Sequence, residues 1–155
     1  MGFKYFEGKN WAQITREERF FCERLFDLIK QEKVEVFAKF LSQELNLQLS
    51  EEGEWEIGYE VCFYRDFWQF KGRKETPYSP KRTFDLCLFG ESEIVIIEAK
   101  SAGGFDSEQN KVFRRDIDEV KRLTKIQRVE LVGLCSSKYT LDSDSESTFN
   151  GKVIR

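Results

Sequence analysis

The apolar run Ile94-Val95-Ile96-Ile97 constrains this chain more than any other stretch. A strand with one wet face alternates apolar and polar residues, whereas four consecutive β-branched side chains leading into Glu98-Ala99 mark a central strand covered on both faces. That calls for a central strand with helices on both faces of its sheet, an α/β architecture. The preceding run, FDLCLF, is separated from it by Gly90-Glu91-Ser92-Glu93 and pairs with it as a hairpin.

A turn centred between Glu91 and Ser92 sets opposite each other residues whose numbers sum to 183. Asp85 then faces Glu98, Cys87 faces Ile96 and Phe89 faces Ile94. Side chains alternate with period two, so Asp85, Glu98 and Lys100 emerge on one face. Opposed residues have Cα atoms about 4.5–5.5 Å apart, within reach of one ion. Two like charges left unpaired there destabilise a sheet by about 1 kcal/mol or more. A hard divalent cation offsets this, because Mg²⁺ takes carboxylate oxygens and keeps water and phosphate as its other ligands. The residues alone leave a second reading open: Asp85 as a solvated strand-end residue, and Glu98 with Lys100 as an ion pair two residues apart.

The remaining elements follow from periodicity. Residues 14–47 read as helix broken near Gln31 to Lys33, with Ile14, Phe21, Leu25 and Leu28, then Val36, Phe37, Phe40, Leu41 and Leu45, at helical spacing. Thr15 and Glu18 form a capping-box pattern. The aromatic stretch Trp55 to Phe70 predicts one long strand or a strand pair. A loop over residues 71–82 holds both prolines, and Asp106 or Ser107 caps a helix to about Thr124, with Val112, Phe113, Ile117, Val120 and Leu123 inward. VELVGLC, residues 129–135, is a further buried strand, and GKVIR a short edge strand. The order is helix, strand, strand, strand, helix, strand in one domain, with its core over about 14–136.

Composition narrows the chemistry. The chain has no histidine, which removes Ser-His-Asp and Cys-His nucleophiles, histidine-based nucleases and most zinc hydrolases. Cys22, Cys62, Cys87 and Cys135 lie singly in apolar segments and read as buried free thiols rather than a zinc site or disulfide framework. No apolar run spans a bilayer, and MGFKYFEGKN lacks the apolar core of a signal peptide, so a cytoplasmic protein without a membrane partner is expected. Net charge is −3, yet residues 71–82 carry Lys71, Arg73, Lys74, Lys81 and Arg82 against Glu75 alone.

The hairpin with Asp85, then Glu98-Ala99-Lys100, within this element order, resembles the PD-(D/E)xK nuclease superfamily, which implies its restriction-endonuclease-like αβββαβ core, a mixed central sheet flanked by helices. The pattern departs at Phe84, where the family carries a proline that many members dispense with. The resemblance implies a metal-dependent nuclease, more specifically a deoxyribonuclease, in which Asp85, Glu98 and the carbonyl of Ala99 hold Mg²⁺ or Mn²⁺. Lys100 would orient the attacking water and stabilise charge on the phosphate. The additional first-helix glutamate of many members falls to Glu17, Glu18 or Glu23, with Glu18 favoured by its place on the apolar stripe and its capping role the alternative. Glu60 is a further candidate. Gln109 either approaches the site, holding Lys100 or a phosphate, or caps its helix with Asp106.

Nucleic acid, with DNA favoured, is the implied partner. Lys71, Arg73, Lys74, Lys81 and Arg82 lead into Asp85 and suit phosphate contacts, and Arg114 and Arg115 either join them or form a solvated helix face. Trp68, Phe70 and Tyr78 can stack on unpaired bases, although Trp68 and Phe70 read as core. Gly103-Gly104 lacks P-loop spacing. A double-strand break favours a homodimer, and a larger defence or repair assembly is also open. Two rivals stand beside the enzyme: an inactive nucleic-acid-binding or assembly module of the same fold, and a plain α/β interaction domain.

Overall fold

The structure, a computed structural model, describes Gly8, residues 17–101 and residues 103–155. Helix α1 (Glu18–Glu32) and α2 (Val34–Leu45) are followed by β1 (Glu56–Val61), α3 (Phe63–Lys71), β2 (Phe84–Phe89) and β3 (Glu93–Lys100). Then come α4 (Ser107–Thr124), β4 (Arg128–Cys135), α5 (Ser143–Phe149) and β5 (Val153–Ile154). The strands form one sheet in the order β1-β2-β3-β4-β5. The first three are antiparallel, and β3-β4 and β4-β5 are parallel. The α/β class and mixed sheet are therefore as expected, with β3 at the centre.

Strand alternation sorts the core into two layers. Val95 and Ile97 of β3, with Leu86 and Leu88 of β2, pack under Cys22, Ile29, Ala38 and Leu41 of α1 and α2. Ile94 and Ile96, with Cys87 and Leu131, pack under Phe113, Val120 and Leu123 of α4, joined by Tyr64 of α3 and Phe149 of α5. Each β3 side chain is thus covered whichever way it points, which is why the run carries no alternation. Among the described residues no helix is long and apolar enough to cross a membrane.

Several elements differ from expectation. The stretch Trp55 to Phe70 is not all strand: β1 ends at Val61 and α3 begins at Phe63. From there the inward side chains, Tyr64 and Phe67, are three residues apart, while Arg65, Asp66, Trp68 and Gln69 face out, a helical period that aromatic β-propensity masked. Gly72 ends this helix at φ +69°, a left-handed position suited to glycine. Trp68 and Phe70 consequently lie outside the core, with 40% and 82% of their surface exposed.

The first helix breaks at Lys33 as read from the sequence, but its inner stripe is Cys22, Leu25, Phe26 and Ile29, while Phe21 and Leu28 are exposed. Ile14 and Thr15 lie outside the described residues. The serine-rich tail holds α5, for which no element was predicted. Asp142 caps it by accepting from the Ser145 amide at 2.8 Å, and Asn110 of α4 donates to Ser145 Oγ at 3.0 Å.

The four cysteines are free thiols; Cys22, Cys87 and Cys135 are buried and Cys62 is half-buried. Glu93, expected in the turn, instead starts β3 and is buried. It accepts from the Ser50 amide at 3.0 Å and hydroxyl at 2.7 Å, so its charge has a structural account.

Candidate active site

The antiparallel register pairs Cys87 with Ile96 and Leu86 with Ile97, the sum of 183 read from the turn. The paired register ends at Leu86 and Ile97; Asp85, Glu98 and Lys100, which lie just beyond it on the two strands, all border one cleft. The Ala99 amide donates to Asp85 Oδ2 at 2.8 Å, fixing that carboxylate against β3. Helix α1 brings Glu18 to the same end of the sheet. Glu18 precedes Cys22 by four residues and Ile29 by eleven, so the face that buries those two also aims Glu18 at the end of β3. Its Oε2 accepts from the Ser101 amide at 3.1 Å, and its Oε1 lies 3.7 Å from Lys100 Nζ. These residues border a cleft of about 400 Å³ with Phe105 and Phe113 in its wall.

Beneath the cleft lies a charged network. Arg82 donates to Glu98 Oε1 at 2.6 Å and to Asp116 Oδ2 at 2.8 Å, and the Tyr64 hydroxyl donates to Asp116 Oδ1 at 2.6 Å. Arg82 is therefore not a solvated loop cation: its side chain is 18% exposed and lies over the Phe84 ring, 4.8 Å from the centroid. The sequence placed it among phosphate contacts because loop position gives no burial. Asp116 was not foreseen, although a signal existed. It lies three residues after Phe113 and four before Val120, on the midline of the apolar stripe of α4.

Glu98 and Asp116 are 5% and 1% exposed and share Arg82, Arg115 lies 3.9 Å from Asp116, and the Asp85 charge acts on Glu98. Burial, with the Asp85 charge adding to it, pushes the Glu98 carboxyl up to about 8, and Arg82 offsets only part of this. Burial and the charges of Asp85, Glu18 and Glu98 also push the Cys22 thiol up to about 12.

A stability effect follows from Glu98. Between pH 4.5 and about 8 the folded protein holds a proton that the unfolded chain has lost, so this group's contribution is full below pH 4.5 and falls as pH rises through 8. Glu98→Gln carries no such proton. Urea melts in EDTA at pH 5 and pH 9 should show the variant gaining on wild type with pH, by on the order of 2–4 kcal/mol.

Other expected site residues divide. Gln109 borders the cleft, yet its side chain accepts from the Asp106 amide at 3.2 Å while its own amide donates to Asp106 Oδ1 at 2.8 Å, the capping box in full. Arg114 pairs with Asp144 at 3.1 Å, and the Arg115 guanidinium lies 3.9 Å from the Tyr78 ring centroid. Neither α4 arginine is among the residues that border the cleft. Glu60 is engaged by Arg19 at 2.7 Å and Arg73 by Glu75 at 2.5 Å. Lys71, Lys74 and Lys81 are exposed.

Among the described residues no group of three or more His, Cys, Asp or Glu side chains is placed to hold a metal. The candidate donor set is smaller: Asp85, Glu98 and the Ala99 carbonyl, all hard oxygens. That set suits Mg²⁺ or Mn²⁺, whose other positions water and phosphate complete. No protein-family model matches the chain, and no curated protein or solved structure matches it.

Proposed function

We propose that this protein is a metal-dependent nuclease that hydrolyses phosphodiester bonds of nucleic acid, with DNA favoured, on a restriction-endonuclease-like core of the PD-(D/E)xK type. The observation that carries the reading is the convergence of Asp85, Glu98 and Lys100, from the two strands of the hairpin, on one cleft to which α1 brings Glu18.

Asp85, Glu98 and the Ala99 carbonyl would hold a divalent cation, which would supply Lewis acidity toward the phosphate oxygens. Lys100 orients the attacking water with its ammonium and stabilises charge that develops on the phosphate in the transition state. Glu18 restrains Lys100 and anchors the chain at Ser101. Arg82 holds Glu98 from below, so the glutamate reaches the cleft from a fixed base. The absence of histidine is compatible with this scheme, in which no step calls for imidazole. A module freed from catalysis has no reason to keep Asp85, Glu98 and Lys100 together in this geometry.

The test is incubation of supercoiled, linear and single-stranded DNA with the protein in Mg²⁺, Mn²⁺ or EDTA. Cleavage in either metal and none in EDTA is expected. DNA binding without cleavage in any metal would overturn the enzyme and favour the inactive binding module of the same fold.

A further inference from the structure

Helix α3 replaces part of the strand predicted over Trp55 to Phe70, and it turns aromatic side chains outward. Its inner face is Tyr64 and Phe67, and its outer face presents Trp68, 40% exposed, between Arg65 and Gln69. A single exposed aromatic is ordinary. Here, however, Trp68 lines a groove of about 570 Å³ whose walls are Cys62, Arg65 and Gln69 on one side and Pro80 and Lys81 on the other. That volume is in the range of small-ligand sites.

Charge selects the occupant. The cations that line the groove are Arg65, which also pairs with Asp66 at 2.9 Å, and Lys81, with Lys71 and Lys74 exposed in the same segment of a chain whose net charge is −3. A flat aromatic surface, an amide at Gln69 and cations at the rim match a ligand with a flat π face, hydrogen-bonding edges and an anionic backbone. An unpaired nucleotide has all three. Duplex DNA presents phosphates but keeps its base faces stacked inside, so it cannot engage Trp68.

Position ties the groove to the cleft. Pro80 and Lys81 line the groove, and the next two residues, Arg82 and Thr83, line the cleft. Thr83 Oγ1 lies 3.5 Å from Cys62 Sγ, so the two depressions share one wall. An extended chain advances at most about 3.6 Å per residue, which places them within a few nucleotides of each other along a strand.

We infer that the α3 groove binds an unpaired nucleobase by stacking on Trp68, so that the strand entering the cleft is single-stranded or frayed. This rests on the nuclease reading for its direction toward the cleft, though the groove itself does not.

The test measures anisotropy of labelled oligothymidylate, oligouridylate, an abasic deoxyribose-phosphate strand and a blunt duplex of equal length, all in EDTA, with wild type, Trp68→Ala and Trp68→Phe. Thermal melts verify that the variants fold. The thymidylate strand should bind more tightly than the duplex and the abasic strand. Trp68→Ala should weaken it about tenfold, as expected for one lost stack, while Trp68→Phe retains most of the affinity. The uridylate strand, which lacks the 5-methyl group and carries a 2′-hydroxyl, should show the same Trp68→Ala loss, because stacking uses the pyrimidine face that both strands present. Equal binding of abasic and thymidylate strands, or no effect of Trp68→Ala, would overturn the groove. The two proposals fail separately: a Trp68 effect without cleavage in any metal leaves the groove and removes the nuclease, whereas duplex cleavage indifferent to Trp68→Ala does the reverse.

Discussion

Asp116→Ala is expected to lower the melting temperature by about 10 °C or more, the largest stability change we predict outside the apolar core. Asp116 is 1% exposed and accepts from Tyr64 and Arg82 at once. Truncation leaves the Tyr64 hydroxyl without its acceptor and a largely buried guanidinium shared with Glu98 alone, and breaking a buried ionic cluster on one side costs about 3–5 kcal/mol. Asp116→Asn keeps an acceptor for Tyr64 and should fall between. The double change Asp116→Leu with Arg82→Met should recover little of the loss, because it also takes the partner of buried Glu98 and leaves the Tyr64 hydroxyl without an acceptor. Denaturant melts of the four proteins decide it. A loss under about 1 kcal/mol for Asp116→Ala would mean that Arg82 escapes to solvent and that the network is not structural.

Lys100→Ala is expected to reduce cleavage about 10²–10³-fold, the range for removing one group aimed at transition-state charge. Its side chain is 17% exposed, its ammonium is 3.7 Å from Glu18 and 5.8 Å from the Phe105 ring centroid, and it holds up none of the core. The fold should therefore survive. Because Lys100 is not in the donor set, the rise in melting temperature on adding Mg²⁺ should persist in this variant and vanish in Glu98→Gln. Loss of cleavage together with loss of the Mg²⁺ response in Lys100→Ala would instead make Lys100 a structural support for the carboxylates.

The parts of the site that are legible in the sequence are those fixed by local geometry. A short symmetric turn and strict alternation determine where Asp85, Glu98 and Lys100 point, and nothing distant alters that. Helix α4 was legible for the same reason, since its cap and apolar stripe are both local. Arg82 was not, because burial of a loop residue depends on what α4 presents beneath it. The aromatics of α3 have high β-propensity, and only the three-residue spacing of Tyr64 and Phe67 betrays the helix. The stripe of α1 was misplaced by a similar margin: Cys22 and Phe26, rather than Phe21 and Leu28, meet the sheet, because α2 packs alongside and shifts the buried face. Helix α5 has so few apolar residues that its identity rests on the Asp142 cap and on Asn110, contacts made across the fold.

The joining of Glu18 to the end of β3 also bears on the order in which the molecule assembles. Asp85 and Ala99 are separated by 14 positions, so the carboxylate pair arises with a hairpin, an event of microseconds. Glu18 reaches Ser101 across 83 positions, and that contact must wait for a large loop to close. The two halves of the cleft thus belong to different cooperative units. Hydrogen exchange at the Ser101 amide should report undocking of α1, while the Ala99 amide, held by Asp85, exchanges only when the sheet itself opens.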